Sequence, residues 1–178
     1  MRARLVKHLI AGENLPPDWV RRFEVRLLTR LAARTFHLPP PPLPASADAA
    51  LAAYAAFTVR CMNHAETDAG TLFATARQLG IRVRRLSGLR DPQDLQRLVI
   101  WLYRNIRITL SGSLPGRITV SSCFFSSVYT PEQCALMSQV DSGIISGIFG
   151  GGELHFTERL TEGCGHCTAC FSLKERIP

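Results

Sequence analysis

The chain has 178 residues, 46% of them hydrophobic and 20% charged, with a mean hydropathy of +0.07. That length lets one domain bury its own core, and the balance excludes a disordered, collagen-like or disulfide-scaffolded chain. The formal charge is +7 and belongs to the first part: residues 1–100 carry 15 Lys and Arg against 8 Asp and Glu, and residues 101–178 carry six of each.

An anionic partner such as nucleic acid would use a basic excess of this kind. The one tight cluster, Arg82, Arg84, Arg85 and Arg90, has no aromatic residue interleaved for base stacking. A solvated Arg-rich helical surface is therefore the favoured reading, and nucleic acid the disfavoured one. No apolar run approaches the roughly 20 residues that span a bilayer. The longest candidate, Ile144 to Phe149, runs into three glycines. Lys7 and His8 interrupt the first apolar stretch, so no signal-peptide core is present. A soluble cytoplasmic protein is expected, in which closely spaced cysteines serve as ligands or redox groups.

Residues 1–104 read as helical. Pro16-Pro17-Asp18 opens a helix of about five turns with Trp19, Phe23, Leu27 and Leu31 at i, i+4 spacing on one apolar face. Residues 39–44 hold five prolines and form a stiff spacer between helices. Asp48 is the expected cap of a second helix that buries Leu51, Tyr54, Ala55, Thr58, Cys61 and Met62. A third helix is expected from about Glu66 to Leu79, stopping at Gly80. Asp91-Pro92 starts a fourth, with Leu95, Leu98, Val99 and Leu102 facing the core.

After Tyr103 the hydrophobic period changes to two. Ile106, Ile108 and Leu110, then Ile118 and Val120, alternate with polar residues around a turn at residues 111–116, which predicts an antiparallel hairpin. Thr130-Pro131-Glu132-Gln133 is a capping box. The helix behind it carries Cys134, Met137, Val140, Asp141, Ile144, Ile145 and Ile148, and Gly150-Gly151-Gly152 ends it. Leu154, Phe156, Glu158 and Leu160 alternate as a third strand, and residues 167–173 offer a fourth. The whole predicts a single α+β domain over residues 1–178: a helical half packed on a small antiparallel sheet, residues 105–178, with one covering helix.

The most specific chemistry is Cys164-Gly165-His166-Cys167-Thr168-Ala169-Cys170. Three thiols at i, i+3 and i+6 converge on one centre if the backbone curls, which Gly163 and Gly165 permit. Inward N–H groups of such a loop stabilise thiolate or sulfide. The run matches the first three ligands of the bacterial ferredoxin pattern and lacks the fourth cysteine. Cys123 is the preferred fourth ligand, with Cys134 and His166 as alternatives. Four readings stand: an iron–sulfur cluster, a zinc site, a thiol–disulfide pair at Cys164 and Cys167, and plain core cysteines. If residues 167–173 form a regular strand, Cys167 and Cys170 face opposite sides and cannot share a metal.

Elsewhere, Cys61 reads as core, and His64 and His155 as solvated. Asp141 and Glu158 stand out as carboxylates on apolar faces. If buried, either would have a raised pKa and could act as a general acid or base; pairing with Arg117 or Arg159, or simple exposure, is the simpler reading for Glu158. The glycines at 147 and 150–152 follow a helix and are not a nucleotide loop.

The order helix, glycines, alternating strand and then Thr161-Glu162-Gly163-Cys164-Gly165-His166-Cys167 resembles the end of the L-2-amino-thiazoline-4-carboxylic acid hydrolase-like proteins and the 4-vinyl reductase domains. The layout of Cys123, Cys134 and Cys170 is also similar to the Cys-rich end of plastid β-carotene isomerases, which are iron-dependent. Either resemblance covers about 70 residues. The hydrolase-like domains usually have one cysteine where this chain has three. Together they imply an α+β domain that binds a small molecule, with or without a metal.

The expected function is a metal-binding protein holding an iron–sulfur cluster, or zinc, on Cys164, Cys167, Cys170 and Cys123. It would act in electron transfer or as the accessory of a partner enzyme. The alternative is a hydrolase or isomerase for a small apolar molecule, with its pocket between the sheet and the helix from Cys134 to Phe149. A zinc-stabilised adaptor is a further reading.

Overall fold

The computed structural model describes residues 2–12, 15–64 and 68–173, and within them all side chains but those of Arg2 and Leu5. Among these residues the order is α1 (Arg2–Ile10), α2 (Asp18–Thr35), α3 (Ala47–His64), α4 (Ala69–Ser87), α5 (Pro92–Asn105), β1 (Ile108–Gly112), β2 (Gly116–Cys123), α6 (Pro131–Phe149), β3 (Glu153–Glu158) and β4 (Cys167–Ser172). The fold class is α+β, as the two hydrophobic periods predict.

Local chemistry sets most of the helix starts. Thr130 Oγ1 accepts from the Gln133 N–H, and Gln133 Oε1 accepts from the Thr130 N–H at 3.1 Å, so the capping box starts α6. Asp91 accepts from the Gln93 and Asp94 N–H groups and starts α5 with Pro92 at its first position. Two expectations need correction. The hydroxyl of Ser46, not Asp48, accepts from the first turn of α3. Asp48 instead receives Arg21 from α2 at 2.5 Å and Arg107 at 2.7 Å, tying the helical half to the start of the sheet. The third helix is capped by Asp68 and runs on to Gly88, so Gly80 does not end it. The expected start at Glu66 lies outside the described residues.

Gly80 has another role. A Cβ there would collide with the carbonyl of Ile144. Across the same contact, a Cβ on Gly143 would strike the Phe73 carbonyl, and one on Gly147 the Arg77 carbonyl. Three glycines and Ala76 thus let α4 and α6 touch backbone to backbone. Losing side chains costs each helix propensity, and the close packing offsets that cost.

The sheet order is β1-β2-β4-β3, all antiparallel. Ile118, Val120, Cys167, Ala169 and Phe171 are buried on its inner face, against α6. Thr109, Ser111, His155, Cys170 and Ser172 are exposed and alternate with the buried set. Core residues from Ile10 to Phe171 form one cluster that joins the helical half to the sheet.

Helix α2 departs from its expected face. Val25, Leu28, Leu31 and Ala32 are buried, whereas Trp19 is 70% exposed and Phe23 57%. The stripe Phe23–Leu27 faces a cavity instead of the packed core.

Candidate functional site: an acid- and tyrosine-bearing cavity

Five helices leave a gap where they do not meet. The resulting cavity has a volume of about 470 Å³ and takes side chains from α1, α2, α4, α5 and α6, with Tyr54 from α3 and the sheet ends at Ile108 and Cys123. Its wall is mostly aliphatic: Leu27, Leu79, Val83, Leu102, Val140 and Ile144 are representative. Leu9, Phe23 and Leu86 also line it and are more than half exposed, which marks its mouth. A second cavity of about 50 Å³ lies between α6 and the inner face of the sheet. The expected pocket between sheet and helix is thus only this small one; the larger opens on the helical side of α6. The two share Tyr103, Ile108, Cys123, Cys134 and Asp141 in their walls.

The few polar groups of the larger wall are specific. Asp141 of α6 accepts a hydrogen bond from the Tyr103 hydroxyl of α5 at 2.8 Å. Burial pushes its carboxyl up to about 6, against the lowering effect of that hydrogen bond. Glu24 of α2 accepts from the Asn105 amide at 2.7 Å. Burial pushes it further, to about 8, with the Asn105 hydrogen bond and the Arg21 charge pulling the other way. Both carboxylates act on Tyr103, whose hydroxyl is raised well above its usual range, chiefly by burial.

Two more tyrosines complete the group. Tyr129 and Thr58 share a hydrogen bond of 2.6 Å between their hydroxyls. Tyr54 is 3% exposed and packs edge-on to Phe125, which stacks on Tyr129. Burial raises the Tyr54 hydroxyl too, with the nearby Tyr129 and Asp141 adding to the shift.

A carboxyl near 6 in a water-poor wall is the chemistry of a general acid or base at neutral pH. Asp141 meets the sequence expectation of an enclosed carboxylate on an apolar face. Glu158 does not. The pairing of β3 with β4 slips between Phe156 and Glu158, so Glu158 is exposed and accepts from the Thr168 hydroxyl at 2.6 Å. His166 lies 3.4 Å from the same carboxylate.

No family model matches the chain, and no curated protein or solved structure matches it.

The four cysteines expected to share a metal are not all brought together: Cys123 and Cys167 both line the small cavity, and Cys170 lies on the other face of the sheet. Cys167 and Cys170 lie three apart on β4, a regular strand, so they face opposite sides of the sheet. Cys167 is buried on the inner face and accepts from the Leu160 N–H at 3.3 Å. Cys170 is exposed on the outer face, paired across strands with His155 and Arg117. Cys164 sits in the turn before β4, its N–H bonded to the Arg159 carbonyl. Cys123 ends β2, and burial pushes its thiol up to about 12. Cys134 and Cys167 join it around the small cavity, each with a thiol raised mainly by burial. Among the described residues, no group of three or more His, Cys, Asp or Glu side chains is arranged to hold a metal ion. No described helix is long and apolar enough to cross a membrane.

Glu24 escapes a reading based on Phe23 and Leu27 alone. It stands at i+4 from Val20 and at i−3 and i−4 from Leu27 and Leu28, within an apolar stripe. A carboxylate so placed is the signal that marks it.

Proposed function

We propose that this chain binds one apolar small molecule in the helical half, oriented by the Asp141–Tyr103 pair. The observation that carries the reading is the cavity of about 470 Å³ with an aliphatic and aromatic wall and a few convergent polar groups. That size and that balance are those of small-molecule sites. The three exposed apolar residues at its mouth fit a site whose ligand comes from an apolar environment. A hydrolase- or isomerase-type step at this site would use Asp141, the carboxyl whose pKa of about 6 allows proton exchange near neutrality.

The test is a titration with N-phenyl-1-naphthylamine, an uncharged probe that brightens in apolar surroundings. Saturable binding of one probe per chain is expected, lost in Leu102→Trp, whose indole fills the cavity from α5. A folded wild-type chain that gives no saturable brightening would overturn the reading. So would undiminished binding by a folded Leu102→Trp.

A further inference from the structure

The charge of the ligand can be read from the wall. Among the described residues, the larger cavity presents two carboxyl groups, Glu24 and Asp141, and no Lys, Arg or His side chain in its lining. This is notable in a chain of net charge +7. Among the described residues, Asp141 is partnered by the Tyr103 hydroxyl, a hydrogen bond without a countercharge. Two basic side chains close by have partners outside the larger cavity, although the Arg21 charge also acts on Glu24 and Arg159 Nε has no hydrogen-bond partner among the described residues. Arg21 reaches Asp48 and the Asn105 carbonyl. Arg159, in the wall of the small cavity, reaches Glu162 at 3.2 Å and lies over the Phe156 ring.

The aromatic residues argue the same way. Phe23, Tyr54, Trp101, Tyr103, Phe125 and Tyr129 all line the cavity. Ring faces attract cations, most strongly where water is excluded. A buried carboxylate that lacks a cation is costly, and a ligand that brings one relieves that cost. An anionic ligand such as a fatty acid would bring a second negative charge beside Asp141.

We propose, building on the binding function above, that the ligand is a hydrophobic amine: its protonated nitrogen rests against the Asp141 carboxylate, and its apolar body lies among the side chains of α2, α4 and α5. Glu24 of α2 is the second carboxyl of the same wall; pushed up to about 8, it is mostly protonated at pH 7, so the charge that meets the amine there is that of Asp141.

Dodecylamine, dodecanol and sodium dodecanoate test this. Each is used at pH 7, below its micelle-forming concentration, to displace N-phenyl-1-naphthylamine from the full chain. Adsorption governed by net charge alone would favour the carboxylate, because the protein is basic. The amine is expected to displace the probe at a concentration at least about tenfold lower than the alcohol, a factor worth 1.4 kcal/mol, with dodecanoate weakest. In the double variant D141N/E24Q the ratio of amine to alcohol should fall towards one. Dodecanoate displacing as well as the amine would overturn the proposal. A folded double variant with the wild-type ratio would do the same. If the alcohol displaces the probe and the amine has no advantage, only this inference fails. If none of the three displaces it, the binding function fails as well. The wild-type series decides the matter even if the double variant does not fold.

Discussion

The hydroxyl of Tyr103 donates to Asp141 Oδ1 at 2.8 Å, joining α5 to α6 across the wall of the larger cavity. The pair is polar and partly buried, and no described cation is paired with it, an arrangement that stability alone does not favour. Sites that bind ligands are often held in such a state.

The cost predicts a pH dependence. The folded-state pKa of Asp141, about 6, is raised above the ordinary value of about 3.9. The folded protein therefore holds this proton more tightly than the unfolded chain. The resulting stability is fully present below about pH 4 and is lost as pH rises through 6. Asp141→Asn removes the loss while leaving an oxygen for Tyr103. The variant should gain on wild type between pH 4 and 7, by about 2–3 kcal/mol once Asp141 is ionised. Urea unfolding at pH 4 and pH 7.5 measures it. A variant less stable than wild type at pH 7.5 would count against a strained acid.

The contact between α4 and α6 makes a second prediction. A methyl on Gly147 would meet the Arg77 carbonyl and lie 2.7 Å from the Ile81 nitrogen, both rigid backbone atoms. Gly147→Ala should lower stability by about 1–3 kcal/mol despite the better helix propensity of alanine. At Gly151, which has nothing within 4 Å of its built Cβ, packing gives no such penalty. Thermal unfolding of the Gly147 variant decides whether the helices touch as closely as described.

These two sites show what a linear sequence can convey. The Thr130 capping box and the Asp91-Pro92 start were legible because a cap is made by residues three apart. Asp141 was legible as a carboxylate in an apolar run. Phe23 and Leu27 were legible as an apolar stripe, but a stripe reads the same whether it meets packed side chains or a cavity. Gly80 carries the signal of a helix stop, and its close approach to Ile144 depends on a helix more than 60 residues later. The cysteine spacing was legible as a motif. The strand pairing that sends Cys167 and Cys170 to opposite faces is a non-local fact.

The cysteines give a third prediction. Cys170 is exposed and Cys164 lies in a turn, so Cys164→Ser and Cys170→Ser should each change stability by no more than about 0.5 kcal/mol. Cys167 is buried on the sheet's inner face, so Cys167→Ser should cost about 1–3 kcal/mol. A shared iron–sulfur or zinc centre would make all three substitutions comparably damaging and each would strip the metal. Thermal melts and metal analysis of anaerobically purified variants separate the two patterns.

The most direct measurement is a methyl NMR spectrum of the labelled chain with and without N-phenyl-1-naphthylamine. Leu27, Leu102, Val140 and Ile144, which line the cavity from three helices, should shift together and saturate at one probe per chain. Shifts confined to Leu15 and Leu173, apolar and exposed outside the cavity, would mean surface adsorption and would contradict an internal ligand site.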